Sequence, residues 1–301
     1  MIREAPDVSR SSTSTGENLA GGKVRSITWS GVLRTVLLYG VLTACALFMI
    51  VPFLWMISTS LKPQAFVLVS PPQFVPNPAT LDSYRQLAEL FPVGRLFINS
   101  LFVALVTTAG QLIVSSMAAY AFARMEFRGR NALFVVYLAT LMIPFQVTIT
   151  PLFIVMRLLN WIDTYQGLIL PGVFTTFGTF LMRQFFLTLP KELEEAAYLD
   201  GASPFTIFSR IILPLSKPAL ATLAVFSFMG SWNAFLWPLF TSHNIDVMTL
   251  PVGLATLHGR YLTQWNLVMA GAVITIVPMA IFFLLVQKYF VQGIATSGLK
   301  G

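Results

Sequence analysis

One polar stretch, residues 191–218, holds the side chains best suited to contacts with another molecule. It carries four carboxylates and three basic groups, a net charge of −1. That balance is wrong for a nucleic-acid duplex, whose phosphates require a basic surface, and it argues against a membrane-tethered helix-turn-helix regulator. Acids in a first helical turn would instead complement the positive end of the helix. The charged residues are Lys191, Glu192, Glu194, Glu195, Asp200, Arg210 and Lys217.

The pattern around these charges predicts a helix, a tight turn and a short second helix. Thr188 is the expected N-cap of the first helix, and Pro190 suits its first turn. Gly201 is expected to end that helix, because glycine readily adopts the left-handed conformation. Ser203 is the expected cap of the second helix, and Pro214 its expected end. The apolar face of the second helix recurs at helical spacing, in Phe205, Phe208 and Ile212.

The same stretch resembles the EAA loop of permeases from ABC importers. The resemblance rests on Glu195-Ala196-Ala197, then three residues, Gly201, nine residues, Ile211, one residue, and Leu213-Pro214. The longer sequences EAAYLDGA and LPLSKP are similar to the carbohydrate-uptake subgroup. Other similar segments lie at 118–130 and in the tail 289–301, so the resemblance extends over about residues 33–301.

This resemblance implies a coupling helix that docks into a cleft on a cytoplasmic ATPase. Glu195 and Asp200 would then contact basic or hydrogen-bonding groups of the ATPase. The small residues Ala196, Ala197 and Gly201 would permit close packing. An ordinary amphipathic helix at the membrane interface is the alternative. Glu195 could also serve as a helix-dipole partner or pair internally with Lys191 or Arg210.

The composition is that of a membrane protein. Of the 301 residues, 56% are hydrophobic and only 10% are charged, whereas soluble proteins carry about 25% charged residues. The net charge of +7 fits basic cytoplasmic loops as well as it fits nucleic acid. The single cysteine, Cys45, excludes an internal disulfide.

Six charge-free runs are each long enough for a membrane helix of about 20 residues. A seventh run, 63–81, contains five prolines and is expected to form an extended loop, followed by a short external helix at about 81–90. The fold class predicted is therefore an all-α polytopic membrane protein with six transmembrane helices and a cytoplasmic EAA loop. The six runs are 35–61, 96–123, 131–156, 164–182, 218–245 and 261–287.

The distribution of Lys and Arg sets the expected orientation. With the N-terminus inside, 14 basic residues lie on the cytoplasmic side and 5 on the other. Both termini and the loop 191–218 are then cytoplasmic, where an ATPase could reach the loop. The predicted domains are a disordered tail, 1–33, and a transmembrane domain, 34–301, that ends in a cytoplasmic tail, 288–301.

Polar and aromatic residues in the spans are candidates for a transport path. Asn233 and Trp237 are spaced i and i+4, so they would share a helix face. Amides bond sugar hydroxyls, and aromatic rings stack on the apolar faces of sugars. Trp232, Gln146 and Thr176 are further candidates. The alternative role for these residues is hydrogen bonding between helices and anchoring at the membrane edge.

No metal site is predicted, because His243 and His258 are fifteen residues apart with no acidic cluster beside them. The six charge-free runs contain no acidic residue, which argues against a membrane-embedded enzyme. The chain has no ATP-binding motif, so ATP and Mg²⁺ are expected on partner subunits and no cofactor on this chain.

The resemblance thus predicts a permease subunit in a prokaryotic plasma membrane. It would form half of a path for a sugar or oligosaccharide, with a non-sugar solute such as glycerol 3-phosphate as the alternative. The expected partners are a homologous second permease, two ATP-binding subunits and an extracytoplasmic solute-binding protein.

Overall fold

The computed structural model describes residues 29–260 and 264–297. The predicted N-terminal tail, up to residue 28, lies outside the described residues. Within them the chain is helical and no strand occurs. It divides into two units after Val51, the first of which contains the beginning of helix α1. The helices are α1 (Trp29–Ser60), α2 (Asp82–Leu90), α3 (Val93–Arg124), α4 (Arg130–Ala139), α5 (Phe145–Leu158), α6 (Tyr165–Val173), α7 (Thr176–Thr188), α8 (Glu192–Leu199), α9 (Pro204–Ile207), α10 (Leu213–Leu215), α11 (Lys217–Trp232), α12 (Leu236–Thr241), α13 (Leu250–Arg260) and α14 (Trp265–Ser297).

Three helices in the described part are long and apolar enough to cross a membrane by themselves, with segments Leu33–Ser60, Val93–Arg124 and Trp265–Leu285. Two bent pairs raise the number to at most five. The predicted fourth span, 164–182, is not among them because it divides into α6 and α7 at Phe174. The count of six spans therefore stays a prediction.

The predicted runs 131–156 and 218–245 do not form single continuous helices. In the first, α5 lies at 98° to the helical segment before it. Pro144 explains this break, because a proline disfavours helical backbone in the residue before it, and Ile143 is extended with ψ 113°. In the second, α11 ends at Trp232 and α12 begins at Leu236.

Helix α3 is the centre of the second unit and packs against α6, α7 and α11. Small residues allow this close approach. A Cβ on Gly178 of α7 would lie 2.6 Å from the Ser115 hydroxyl of α3, and one on Gly110 of α3 would lie 2.8 Å from Val173 of α6. Helix α11 in turn packs against α14, which contacts α2.

The proline-rich segment 63–81 is not a membrane helix, as predicted, and α2 follows at the expected place. Lys62 fixes the start of this segment. Its side chain is 1% exposed, its ammonium lies 4.5 Å from the ring centroid of Trp55, and it donates a hydrogen bond to the Gln73 carbonyl. At the other end of the chain, α14 continues through most of the predicted tail 288–301 and ends at Ser297.

Candidate functional site

The loop 191–218 begins with α8, which ends at a turn built on Gly201. The Gly201 backbone has φ +79°, its N–H bonds the Tyr198 carbonyl at 3.0 Å, and the Ala202 N–H bonds the Ala197 carbonyl at 2.9 Å. This pair of bonds is the Schellman motif, in which a left-handed residue closes a helix. The prediction that Gly201 ends the helix is therefore confirmed.

The caps of the loop agree with the sequence pattern only in part. The Ser203 hydroxyl accepts a bond from the Thr206 N–H at 3.2 Å, with Pro204 in the first turn, as predicted. The prediction that Thr188 caps α8 is wrong, because Thr188 is the last residue of α7 and its hydroxyl donates to the Phe185 carbonyl. The predicted end at Pro214 is also wrong. A π-helical turn, Phe208–Ile212, continues into α10, where Pro214 occupies the first turn and no donor is needed.

The loop has one face in the core. Ala197, Ile207, Phe208 and Ile212 are buried in a cluster with residues of α3 and α7, and Ile211 and Leu213 pack partly buried against it. This packing fixes the loop on the ends of two long helices. The α3 and α7 members of the cluster include Ala119, Tyr120, Met182 and Phe186.

The opposite face of the loop is open. Glu195, Ala196, Asp200, Gly201 and Pro214 are exposed. Among the described residues Glu195 forms no ion pair with Lys191 or Arg210, so the internal pairing considered from the sequence is absent there. Large apolar side chains share this exposure: Leu199 is 89% exposed and Phe205 70%, one on each side of the Gly201 turn.

The sequence analysis did not identify two important residues of the loop, Glu194 and its partner Arg124 at the end of α3. The Arg124 Nε and Glu194 Oε1 atoms lie 2.9 Å apart, with 4% and 9% of the two side chains exposed. The N–H does not point at the oxygen, so the contact is an ion pair by distance. Burial raises the pKa of the Glu194 carboxyl, and the Arg124 and Lys191 cations oppose that rise.

Arg124 also binds the C-terminal end of α7. Its Nη2 donates to the Phe186 carbonyl at 2.6 Å and to the Leu189 carbonyl at 2.7 Å. Carbonyls at a helix end lack partners within the helix, and a cation there also complements the helix dipole. A lone arginine directly after a long apolar run was the available signal, but only the tertiary structure supplies its partners.

A cavity of about 600 Å³ is a second candidate site. Helices α3, α6 and α11, together with α12 and the segment before it, contribute to its wall. Its described lining is uncharged and combines aromatic and aliphatic groups with amides and hydroxyls. The polar side chains in the wall are Thr107, Gln111, Thr175, Ser227, Ser231 and Asn233.

The structure brings two of the five predicted path residues to this cavity. Asn233 and Trp237 both line it, although the helix is interrupted between them. The Trp237 indole N–H is bonded to the Gly167 carbonyl at 2.9 Å. Trp232 instead points into the core, where it is 1% exposed and its N–H bonds the Thr275 carbonyl at 3.0 Å.

The two other predicted path residues, Gln146 and Thr176, are not among the residues that line the cavity. Thr176 bonds the Thr140 hydroxyl across helices at 2.9 Å, which is the interhelical role considered as its alternative.

The described residues contain no group of three or more potential metal ligands. His243 Nδ1 lies 3.9 Å from Asp163 Oδ2, while the side chain of His258 lies outside the described part of the structure. Asp163 instead orders the backbone, because its Oδ1 accepts the N–H groups of His243 and Asn244.

A bundle of apolar helices around a polar-lined cavity, with a docking-type loop at the ends of two of them, defines a membrane permease. The chain belongs to the family described as binding-protein-dependent transport system inner membrane component, whose model matches residues 111–296.

Named relatives support this assignment. The arabinooligosaccharides transport system permease protein AraQ of Halalkalibacterium halodurans is 40% identical over 245 residues, which is 81% of this chain and 86% of that protein. The sn-glycerol-3-phosphate transport system permease protein UgpE of Pectobacterium atrosepticum is 42% identical over 208 residues, 68% of this chain and 74% of that protein.

Solved structures give the same fold. A chain of a bacterial ABC transporter involved in the import of the acidic polysaccharide alginate superposes with a TM-score of 0.76 at 26% identity. The superposition covers 87% of this chain and 98% of that chain. A bacterial alginate transporter in complex with an alginate pentasaccharide-bound periplasmic protein superposes with a TM-score of 0.63 at 17% identity, over 86% of this chain and 95% of that chain.

Proposed function

We propose that this chain is a permease subunit of an ATP-driven sugar importer and that its loop 191–218 docks on a cytoplasmic ATPase. The two-sided loop carries the proposal. One face is anchored in the core of α3 and α7, while the other presents Glu195, Ala196 and Asp200 on a rigid turn. A surface of this kind can receive a partner without losing its own shape.

The apolar side chains beside the turn favour a protein partner. Leu199 and Phe205 are largely exposed next to the small residues Ala196 and Gly201. Large exposed apolar groups rimmed by polar ones mark interaction sites, and small neighbours allow a cleft wall to approach the backbone. In this arrangement Glu195 and Asp200 bind cations or donors on the ATPase. Ile211, Leu213 and Pro214 hold the second half of the loop on the permease core.

The cavity supports a neutral sugar as the solute. Amide and hydroxyl groups such as Asn233, Ser231 and Thr107 match sugar hydroxyls, and aromatic rings line the same wall. Its described lining includes no Lys, Arg or His that would compensate a phosphate. Glycerol 3-phosphate, the named solute of the UgpE relatives, is therefore the second candidate.

The remaining parts of the proposal concern topology and assembly. The chain would contribute six spans, counting the bent pairs and the interrupted α6–α7 segment as single crossings, with both termini in the cytoplasm. A homologous permease forms the other half of the path, two ATPase subunits bind and hydrolyse ATP with Mg²⁺, and a binding protein delivers the solute. The periplasmic protein in the alginate transporter complex is a precedent for the last of these.

A reconstitution experiment tests the proposal. The chain is co-expressed with the second permease, the ATPase and the binding protein from its own genomic neighbourhood, and the complex is placed in vesicles with ATP inside. We expect ATP-dependent uptake of a labelled arabino-oligosaccharide and little uptake of labelled glycerol 3-phosphate. The reverse preference would assign the second candidate solute, and an assembly that forms without the ATPase would contradict the docking role.

A further inference from the structure

Arg124 connects three elements that the proposed coupling mechanism must move together. Its guanidinium lies at the end of α3, bonds the carbonyls at the end of α7 and contacts Glu194 of α8. We propose that Arg124 is a positioning residue that joins α8 to α3 and α7, so that a displacement of the loop reaches the transport cavity. This inference rests on the proposed docking of an ATPase on the loop.

The burial of the ion pair makes it suited to this role. The side chains of Arg124 and Glu194 are 4% and 9% exposed, whereas those of the Arg95–Asp246 pair are 55% and 49% exposed. Water readily replaces either partner of an exposed pair, so such pairs hold little. Separation of the buried pair would leave a carboxylate without its cation in a protected site, so the two groups are expected to stay together when the loop moves.

Both helices that Arg124 joins to α8 extend to the cavity. Helix α3 contributes Val103, Thr107 and Gln111 to the wall. At a rise of about 1.5 Å per residue, Gln111 lies about 20 Å along α3 from Arg124. Helix α7 contributes Phe177 near its first turn, and Phe186 near its other end carries one of the bonded carbonyls. A force on α8 therefore has a continuous rigid route to two sides of the cavity.

Apolar packing is the competing route. Ala197, Ile207 and Ile212 of the loop already contact the α3 and α7 cluster. If this packing alone transmitted the motion, the ion pair would serve only to hold the fold. The two roles separate when both charges are removed together, since an apolar pair can restore folding without restoring the bonds to the α7 carbonyls.

The test uses the assembled complex and follows the cavity directly. A reporter cysteine replaces Ser231 in the cavity wall, in a Cys45→Ser background, and its reaction with an impermeant maleimide is measured with and without a nonhydrolysable ATP analogue. The variants are Arg124→Met/Glu194→Met, which removes both charges, and Glu194→Gln, which keeps both Arg124 bonds to α7. The matched control is Arg128→Met, which changes an exposed arginine of the same turn.

In the parent complex and in Arg128→Met, we expect the analogue to change the labelling rate by about tenfold, within the range of known site-to-site coupling. In the double variant the ATPase should still co-purify and bind the analogue, but the labelling rate should no longer respond. Glu194→Gln should lose part of the response with normal assembly.

A full response in either variant overturns the inference. If the double variant does not assemble, Glu194→Gln alone decides. Failure of the parent complex to bind the ATPase would instead contradict the proposed function, so the two failures are distinguishable.

Discussion

Gly201 provides the sharpest test of the loop, because its backbone and its surroundings separate two effects. Its φ of +79° lies in the left-handed region, yet a Cβ at this position would meet no atom within 4 Å. A substitution therefore strains the turn without causing a clash inside the chain. Any steric effect of the new side chain must come from a partner on the open face.

The cost of the substitution follows from this geometry. A left-handed backbone costs an L-residue roughly 1–2 kcal/mol, with β-branched residues at the upper end. Such a difference lowers the population of the closed turn by a factor of about 5 to 30. We expect Gly201→Val to leave the helical core folded, since the core clusters do not include Gly201. It should weaken ATPase docking and uncouple hydrolysis from transport.

Asparagine distinguishes turn geometry from bulk, because it tolerates the left-handed region better than other L-residues. Gly201→Asn should therefore retain more docking than Gly201→Val. The matched control is Gly129→Val, since Gly129 has φ +81° and likewise no atom within 4 Å of a Cβ. That variant carries the same backbone strain in a different turn and should dock the ATPase normally.

The assay is co-purification of the ATPase, followed by hydrolysis with and without the solute-loaded binding protein in the reconstituted complex. Normal docking and full stimulation in Gly201→Val would refute the reasoning. Equal losses in Gly201→Val and Gly129→Val would assign the effect to backbone strain in general. Loss of the protein from the membrane would mean that Gly201 serves folding.

Three further predictions follow from the same structure. A cysteine at exposed Ser70 should react with an impermeant reagent only from outside and one at exposed Ser203 only from inside; the opposite result would reject both the orientation and the coupling role. The purified chain should neither hydrolyse ATP nor transport an arabino-oligosaccharide in vesicles, and transport without partners would contradict the proposed assembly. Asn233→Ala should raise the solute concentration needed for half-maximal uptake without lowering ATPase co-purification, because Asn233 lines the cavity far from no core contact that a truncation would remove; unchanged uptake would exclude Asn233 from the path. Trp232→Phe, which keeps an aromatic ring but loses the bond to Thr275, should instead lower thermal stability in detergent, and a pure uptake defect would contradict its core position.

Much of the loop could be predicted because its determinants are local. The glycine, the Ser203 cap and the neighbouring proline act on the backbone within a few residues of themselves, so their spacing was sufficient. The same local reasoning failed at Thr188 and Pro214. There α7 extended further, and a π-helical turn carried the chain past the proline into α10.

The sequence by itself determined the membrane character of the chain, the family resemblance and the Gly201 turn, since composition and short-range spacing suffice for these. Only the tertiary structure decided the partners of Arg124, because Phe186, Leu189 and Glu194 lie more than sixty residues away and meet it only when α3 packs against α7. The same packing separated Trp232 from Asn233. They are neighbours in sequence, but consecutive helical side chains point in different directions, so one fills the core and the other faces the cavity.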